Sequence, residues 1–405
     1  MPRNVVFVAP SPTEATLRFA RALSKLDDVR LLGVVRAPFG EHASLFHDAA
    51  RLEDPTDAGD VIAAIETLRA RYGEPHRIVG VLEELMVPLA VAREHFGVKG
   101  TGVHTATLFR EKARMKDALR AAGLPVARHR LITSADDARE FASSVGFPMI
   151  VKPPAGVGAR ATYRVRTLDE LREAITRARV SPDHPVLAEE MLVGREHSFE
   201  TITLGGVPRV TSFSTYLPGC LEVLENPWIQ WACVLPREVE SELHARAREM
   251  GVAAVRALGL EDGMTHMEWF ERADGSLAIG EIAARPPGPQ LCQMTGLVNG
   301  VDIYRAWARA TVDGALDAPW ERRYAAGCAF IRGVGRGRVT AVRGVRETHD
   351  ALGDAFIEAK LPTIGAMKNE SYEGDGYVVI RDPSTARVRA LITAIVETMK
   401  VYYEG

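Results

Sequence analysis

The chain has 405 residues, 46% of them hydrophobic and 25% charged, with Lys+Arg 50 set against Asp+Glu 53. That composition excludes wholesale disorder, collagen-like repeats and a disulfide-dense mini-scaffold, and a net charge of −3 supplies no global positive field to draw nucleic acid. At roughly 150 residues per domain the length implies about two to three domains.

The four cysteines, Cys220, Cys233, Cys292 and Cys328, form no Cys-x-x-Cys pair, which fits reduced thiols in the core of a cytoplasmic chain. No stretch approaches the ~18 uninterrupted apolar residues of a membrane span. The apolar run 5–9 is too short for a signal-peptide core and reads as a first strand.

Over the first hundred residues strand-like and helix-like patterns alternate: apolar runs at 5–9, 31–35 and 78–82, helical spacing at 13–26 and 62–72. Such β-α-β alternation predicts a parallel sheet covered on both faces. Its first strand–helix turn, Pro10-Ser11-Pro12-Thr13, has no glycine, so the usual dinucleotide fingerprint is absent. A basic helix is expected over 110–122, stopped by Gly123-Leu124-Pro125.

A compact β-α-β-β-α-β unit follows. Its strands are expected over 126–132, 147–152, 161–166 and 186–192; its helices are 135–145, capped by Ser134, and 168–178, opened by the capping box Thr167-x-x-Glu170. From 198 to about 310 the pattern predicts antiparallel strands, the helix 241–258 and a hairpin. The last eighty residues read as a smaller α+β segment closed by the helix 385–399. The expected division is 1–110, 111–188, 189–320 and 321–405.

The hairpin carries the first chemical signal. Strand-like 264–270 and 277–283 flank Asp274-Gly275, a strong two-residue turn pattern. With that turn, facing residues have numbers summing to 549, and Glu268 lies opposite Glu281. Two carboxylates about 5 Å apart repel by roughly 3 kcal/mol at an effective dielectric near 20. Period-two alternation adds His266, Phe270, Ala283 and Arg285 to the same face. Two readings fit: a solvated face whose arginine neutralises the acids, or a cation site. Facing carboxylates suit Mg²⁺, which takes carboxylates together with substrate phosphates.

Lys152 ends an apolar strand and is followed by the glycine loop 153–161, with Gly156 and Gly158. No helix pattern follows that loop and no Gly-Lys dipeptide occurs, which excludes both a dinucleotide turn and a P-loop. The loop alone fits a hairpin tip as well as a phosphate cradle. A lysine at the end of a buried strand is more specific, because its charge needs an anionic partner. Lys112 fits either a phosphate ligand or a solvated residue of a basic helix. His42 and His47 read as surface residues and Gly333–Arg338 as an exposed turn, while 216–231, with Trp228 and Trp231, fits an acceptor pocket or a packed surface loop.

Taken in order, these pieces resemble the ATP-grasp superfamily over nearly the whole chain. The likeness rests on Glu111-Lys112-x-x-Met115-Lys116, Ile150-Val151-Lys152-Pro153, the glycine loop, Ala188-Glu189-Glu190-Met191-Leu192, Gly194-Arg195-Glu196, Met267-Glu268 and Glu281-Ile282-x-x-Arg285-Pro286-x-Gly288. The resemblance implies an α/β and α+β multidomain fold: an N-terminal parallel α/β domain, a small β-α-β-β-α-β lid and a C-terminal antiparallel-sheet domain.

It implies ATP and Mg²⁺ as cofactors, with Mn²⁺ as a substitute metal. By the same resemblance Lys112 and Lys152 hold ATP phosphates under a lid at 156–160 that includes Gly156 and Gly158. Glu189, with the backbone of Glu190 and Leu192, binds adenine; Glu196 binds the ribose; Glu268 and Glu281 ligate the metal; Arg285 stabilises the phosphorylated intermediate. Two departures stand out: Ala283 replaces a common Asn ligand, and the loop has Ala159 and Ala161 where Ser and Gly are usual.

Within the superfamily, Glu281-Ile282-x-x-Arg285-Pro286-x-Gly288, followed by Thr295-Gly296-Leu297-x-x-Gly300-Val301-Asp302, looks most like the carboxylate–amine ligases that join L-amino acids. Pro286-Pro287-Gly288-Pro289-Gln290 differs from the Val-Glu-His segment of biotin carboxylases. The implied activity joins a carboxylate, activated as an acyl phosphate, to an amine, giving an amide or dipeptide with ADP and phosphate. Formate-dependent purine-pathway ligases and a non-catalytic nucleotide-binding protein are the alternatives. The implied partners are small-molecule substrates, without nucleic acid or membrane, in a chain for which the resemblance suggests a homodimer.

Overall fold

A computed structural model describes residues 2–36, 39–156, 161–226, 228–288, 290–317 and 319–405. The N-terminal domain is a parallel sheet in the order Asp48–Arg51, Val29–Val35, Arg3–Val8, Arg77–Val79. Its central strand is buried almost throughout because helices cover both faces, which is why it reads as an unbroken apolar run. Glu83 follows the end of Arg77–Val79 by four residues and so lies at the carboxyl edge of a parallel sheet, where ligands bind in open α/β folds.

The basic helix predicted over 110–122 is Lys112–Ala121; a separate helix, Val103–Arg110, precedes it, and the chain breaks between the two at Glu111, whose ψ of 104° is extended. The break makes Lys112 the first residue of the second helix, with its backbone N–H on the Pro154 carbonyl at 3.1 Å. Lys112, Lys116 and Leu119 then share one face at helical spacing, and that face is buried.

The small lobe has the expected β-α-β-β-α-β order, with a four-stranded antiparallel sheet in the order His129–Ile132, Val186–Glu190, Met149–Lys152, Tyr163–Val165. Its helices Ala135–Val145 and Leu168–Arg177 start at Ser134 and Thr167, whose hydroxyls accept from the N–H groups of Asp137 and Glu170. The Glu170 carboxylate reaches back to the Arg166 N–H at 2.7 Å, one residue beyond the ordinary box.

One eight-stranded sheet forms the rest of the scaffold, in the order Leu277–Ala283, Gly263–Glu271, Arg195–Leu204, Val207–Leu217, Trp231–Leu235, Ala325–Ile331, Gly376–Asp382, Phe356–Lys360. Its last three strands come from residues beyond 320, so the C-terminal segment continues the same sheet. Among the described residues no helix is long and apolar enough to cross a membrane.

The hairpin contains two departures from the expected geometry that cancel. Its turn is one residue longer than a two-residue loop: the Gly275 N–H binds the Arg272 carbonyl and the Arg272 N–H binds the Ser276 carbonyl, each at 2.9 Å. Facing residues therefore sum to 548 from Glu271–Leu277 to Trp269–Ile279. A bulge at Gly280 inserts the missing residue, and Glu268 faces Glu281, Met267 faces Ile282 and His266 faces Ala283. Gly280 is where the Phe270 ring approaches most closely; a Cβ there would lie 3.0 Å from it.

Candidate functional site

The helix Lys112–Ala121 packs against the hairpin and, together with the strand Met149–Lys152, brings three lysines to Glu281 of the hairpin and Glu189 of the small lobe. Lys112 Nζ donates to Glu281 Oε1 at 2.5 Å and to the Gly156 carbonyl at 3.1 Å. Lys152 Nζ lies 3.0 Å from Glu189 Oε2 and 3.9 Å from Glu281 Oε2. Lys116, with no exposed surface, donates to the Gly280 carbonyl at 2.5 Å and sits 3.5 Å from Glu189 Oε1. Burial opposes ionisation of Glu281, but Lys112 and Lys152 overcome it and hold this carboxyl down at about 2. Burial opposes the charge of Lys152 in the same way; Glu189 and Glu281 outweigh it, and its pKa is raised. In Lys116 burial wins and the pKa falls.

Glu189 is buried, and its Oε1 has no hydrogen-bond partner. Its carboxylate serves the lysines, which hold its pKa below the ordinary value against burial. The Glu190 side chain turns away to Arg128, at 2.7 Å, and its N–H is committed to the Arg128 carbonyl at 2.9 Å. Leu192 and Glu196 line the same cleft as Glu189 and Glu190. Gly156 sits at the exit of the Lys152 strand; Gly158 lies outside the described residues.

Glu196 accepts the Cys220 N–H at 3.2 Å, in a position that a side chain at 219 would displace, since a Cβ there would come within 2.2 Å of its Oε2. Burial first, then the charge of Glu268, push the Glu196 carboxyl up to about 8. Glu196 is therefore expected to titrate near pH 8 in the nucleotide-free protein by side-chain ¹³C NMR, and Glu268→Gln should move that titration to lower pH. Because the folded pKa is raised above the usual 4.5, this group's contribution to stability falls as pH rises from about 4.5 to 8. A Glu196 titration near 4.5 in the wild type would contradict the described burial.

Behind Glu268 stands a buried relay that sequence reasoning did not assemble. His266 Nδ1 meets Glu200 Oε1 at 3.0 Å, while Nε2 lies 3.3 Å from the Tyr216 hydroxyl and 3.8 Å from Glu268 Oε1. Burial disfavours the imidazolium, but Glu200 and Glu268 outweigh it and raise this histidine to about 9. Glu200 also accepts from the Ser198 hydroxyl. His266 was visible on the predicted face, but nothing in the local pattern marked Glu200 as its partner.

Arg285 lies two residues beyond the second strand of the hairpin and is fastened by residues of the N-terminal part of the chain. Its Nε donates to Glu83 Oε2 at 3.0 Å, and Arg110 Nη1 donates to Glu83 Oε1 at 3.0 Å. Glu83 is only 3% exposed. Its sequence signal was its place just after an apolar run at the carboxyl edge of the parallel sheet.

Two hollows meet at these acids. A cleft of ≈ 1010 Å³ between the small lobe and the large sheet is lined by Ile150, Leu192, Glu196 and Phe270. A smaller cavity of ≈ 130 Å³ reaches from Lys112 past Arg285 to Trp231 and Tyr372. Lys152, Thr162, Tyr216, Glu268 and Glu281 line both and form the neck between them.

The donor set fits a magnesium nucleotide. Three lysine ammoniums converge on one point, and two carboxylates face each other beside them. Two carboxylates are the kind of protein ligand Mg²⁺ takes together with substrate phosphates.

Residues 117–288 match the family model of the ATP-grasp domain. The chain belongs to the ATP-grasp superfamily. It is 24% identical over 273 residues to an L-arginine-specific L-amino acid ligase of Bacillus subtilis, covering 66% of this chain and 65% of that protein. It is 31% identical over 258 residues to a D-alanine–D-alanine ligase of Chlorobium luteolum, covering 59% and 66%. The matched region thus spans about two-thirds of the length of either relative. An L-amino acid ligase from Bacillus licheniformis superposes with a TM-score of 0.83 at 16% identity, over 100% of this chain and 99% of that one, a likeness in fold. Solved structures that share this fold at 13–16% identity include a 2-oxoglutarate carboxylase biotin carboxylase domain of Hydrogenobacter thermophilus with MgADP and an N5-carboxyaminoimidazole synthetase of Staphylococcus aureus with ADP.

Proposed function

We propose that this ATP-grasp chain is an ADP-forming carboxylate–amine ligase that joins amino acids. The observation that carries the reading is the neck: Lys152, Glu268 and Glu281 lie between a cleft of nucleotide size and a smaller cavity beside Arg285. A group passed through that neck moves from a large anionic ligand to a small one.

In this reading Lys112 and Lys152 would hold phosphates, Glu268 and Glu281 the metal, Glu196 the ribose and the Glu189–Leu192 segment the adenine. The metal would supply charge neutralisation at the phosphoryl group. A substrate carboxylate oxygen forms a bond to the γ-phosphorus as the bond to ADP breaks, giving an acyl phosphate. An amine nitrogen then attacks the acyl carbon, phosphate leaves with the bonding electrons, and the amine loses its proton to give an amide. Arg285 and the lysines neutralise the charge that develops on the transferring oxygens. Closure of the small lobe excludes the water that would hydrolyse the acyl phosphate.

The test is ADP release from MgATP against a matrix of amino acids, singly and in pairs, with mass spectrometry of the products. ADP with a product one water lighter than the combined pair is the expected result. ADP released only with formate and a ribonucleotide amine would support a purine-pathway ligase instead. ATP binding without turnover on any carboxylate would support a nucleotide-binding protein.

A further inference from the structure

Beyond the neck, the smaller cavity ends in aromatic walls. Tyr216, Trp231 and Tyr372 form them, with Cys220 and Leu291. Trp231 stacks on Phe330 at 4.3 Å between ring centroids, and meets Tyr372 edge-on at 4.7 Å and Tyr216 at 5.7 Å. Tyr372 precedes the strand Gly376–Asp382, so the C-terminal segment contributes a wall to a cavity whose other side carries the candidate metal ligands.

Among the described residues, the charged side chains that line this cavity are engaged with one another: Glu83 holds Arg110 and Arg285, Glu281 holds Lys112 and Lys152, and Glu268 lies 3.8 Å from His266. Burial pushes the Cys220 thiol and the Tyr216 and Tyr372 hydroxyls up, so all three are neutral at physiological pH. One polar group is left over, the buried indole N–H of Trp231, which has no hydrogen-bond partner.

We infer that this aromatic end seats the side chain of the carboxylate substrate, and that the acid activated is an amino acid with an uncharged, apolar side chain of modest size. The inference rests on the ligase reading and narrows it. A charged side chain placed there would be desolvated without a counter-ion, whereas an aliphatic one gains contact with three rings. A cavity of ≈ 130 Å³ is close to the ~150 Å³ apolar hollow that accommodates benzene, and part of it must serve the reacting carboxylate.

The experiment is calorimetric titration of the full-length protein, saturated with the Mg²⁺ complex of a non-hydrolysable ATP analogue, with L-leucine, L-methionine, L-glutamate and L-arginine. Leucine and methionine are expected to bind at least about 100-fold more tightly than glutamate and arginine. Tyr372→Ala should weaken leucine binding by about tenfold, and Tyr372→Leu, which keeps an apolar wall, by less than about threefold, with analogue affinity unchanged in both. Equal or tighter binding of a charged amino acid, absence of binding by all four, or indifference of leucine to Tyr372→Ala would each overturn the inference. ADP release measured in parallel separates the two claims. Leucine binding without ADP formation from ATP would sink the ligase reading and leave the pocket; turnover with charged acids alone would do the reverse.

Discussion

Glu281→Gln is expected to reduce ADP formation by at least about a thousandfold while the protein remains folded. The amide keeps the shape of the side chain and can still accept from Lys112, but it removes the charge that faces Glu268 across the hairpin. The loss of one partly exposed ion pair should lower stability by about 2 kcal/mol, between the values for exposed and fully buried pairs. The pH dependence sharpens the test. In the wild type Glu281 is held down at about 2, so its contribution is fully present above pH 4.5 and is lost as pH falls towards 2. Denaturant titrations should therefore show the gap between wild type and Glu281→Gln closing below pH 4. Undiminished ADP formation in a folded variant would refute the metal-ligand assignment.

Glu83→Gln is expected to cost about 3 kcal/mol of stability and to lower kcat by about a hundredfold, with the KM for ATP little changed. Glu83 is the one carboxylate shared by Arg110 and Arg285, at 3.0 Å to each, and its side chain is nearly inaccessible. The glutamine amide would direct N–H donors at a guanidinium that has only donors to offer. Arg285 then loses its orientation next to the small cavity, far from the base and ribose end of the cleft. Glu83→Asp retains the charge and should recover part of kcat, which a purely structural defect would not predict. A folded Glu83→Gln with wild-type kcat would show that Arg285 needs no anchor.

How much of this was legible in advance depended on the range of the contact. Helix starts at Ser134, Thr167 and Ser241 follow from side chains three residues or fewer from the groups they cap, and the structure has them as expected. The Glu268–Glu281 pair was predicted from a two-residue turn, and the pairing occurs through a longer turn and a compensating bulge, which local pattern could not supply. Lys116 was visible only as part of the motif that begins at Glu111-Lys112, with no role of its own. Its spacing from Lys112 and Leu119 put it on the buried face, a signal that overall polarity concealed.

Glu83 and Arg285 stand 202 positions apart, and Glu200 and His266 stand 66 apart; no periodicity connects either pair. The aromatic end of the cavity was half visible. Trp231 lay in a segment that fitted an acceptor pocket, but Tyr372 arrives from a part of the chain that composition and motif left unremarked.

The lysine–carboxylate cluster has a consequence for the order in which ligands arrive. Lys112, Lys116 and Lys152 stand against Glu189 and Glu281, and Glu268, which faces Glu281 across the hairpin, lies beside His266, so each charge of the cluster already has a counter-ion. Such a site behaves as an ion exchanger. A divalent cation by itself must displace ammonium groups that stay nearby and repel it, and a free triphosphate must approach carboxylates that repel it. A cation and a polyphosphate entering as one unit let each partner of every resident pair trade its counter-ion for a new one, so little charge is stranded at any stage. In the proposed ligase the neck would therefore favour the preformed metal–nucleotide complex before any reacting carboxylate has entered the cavity behind it.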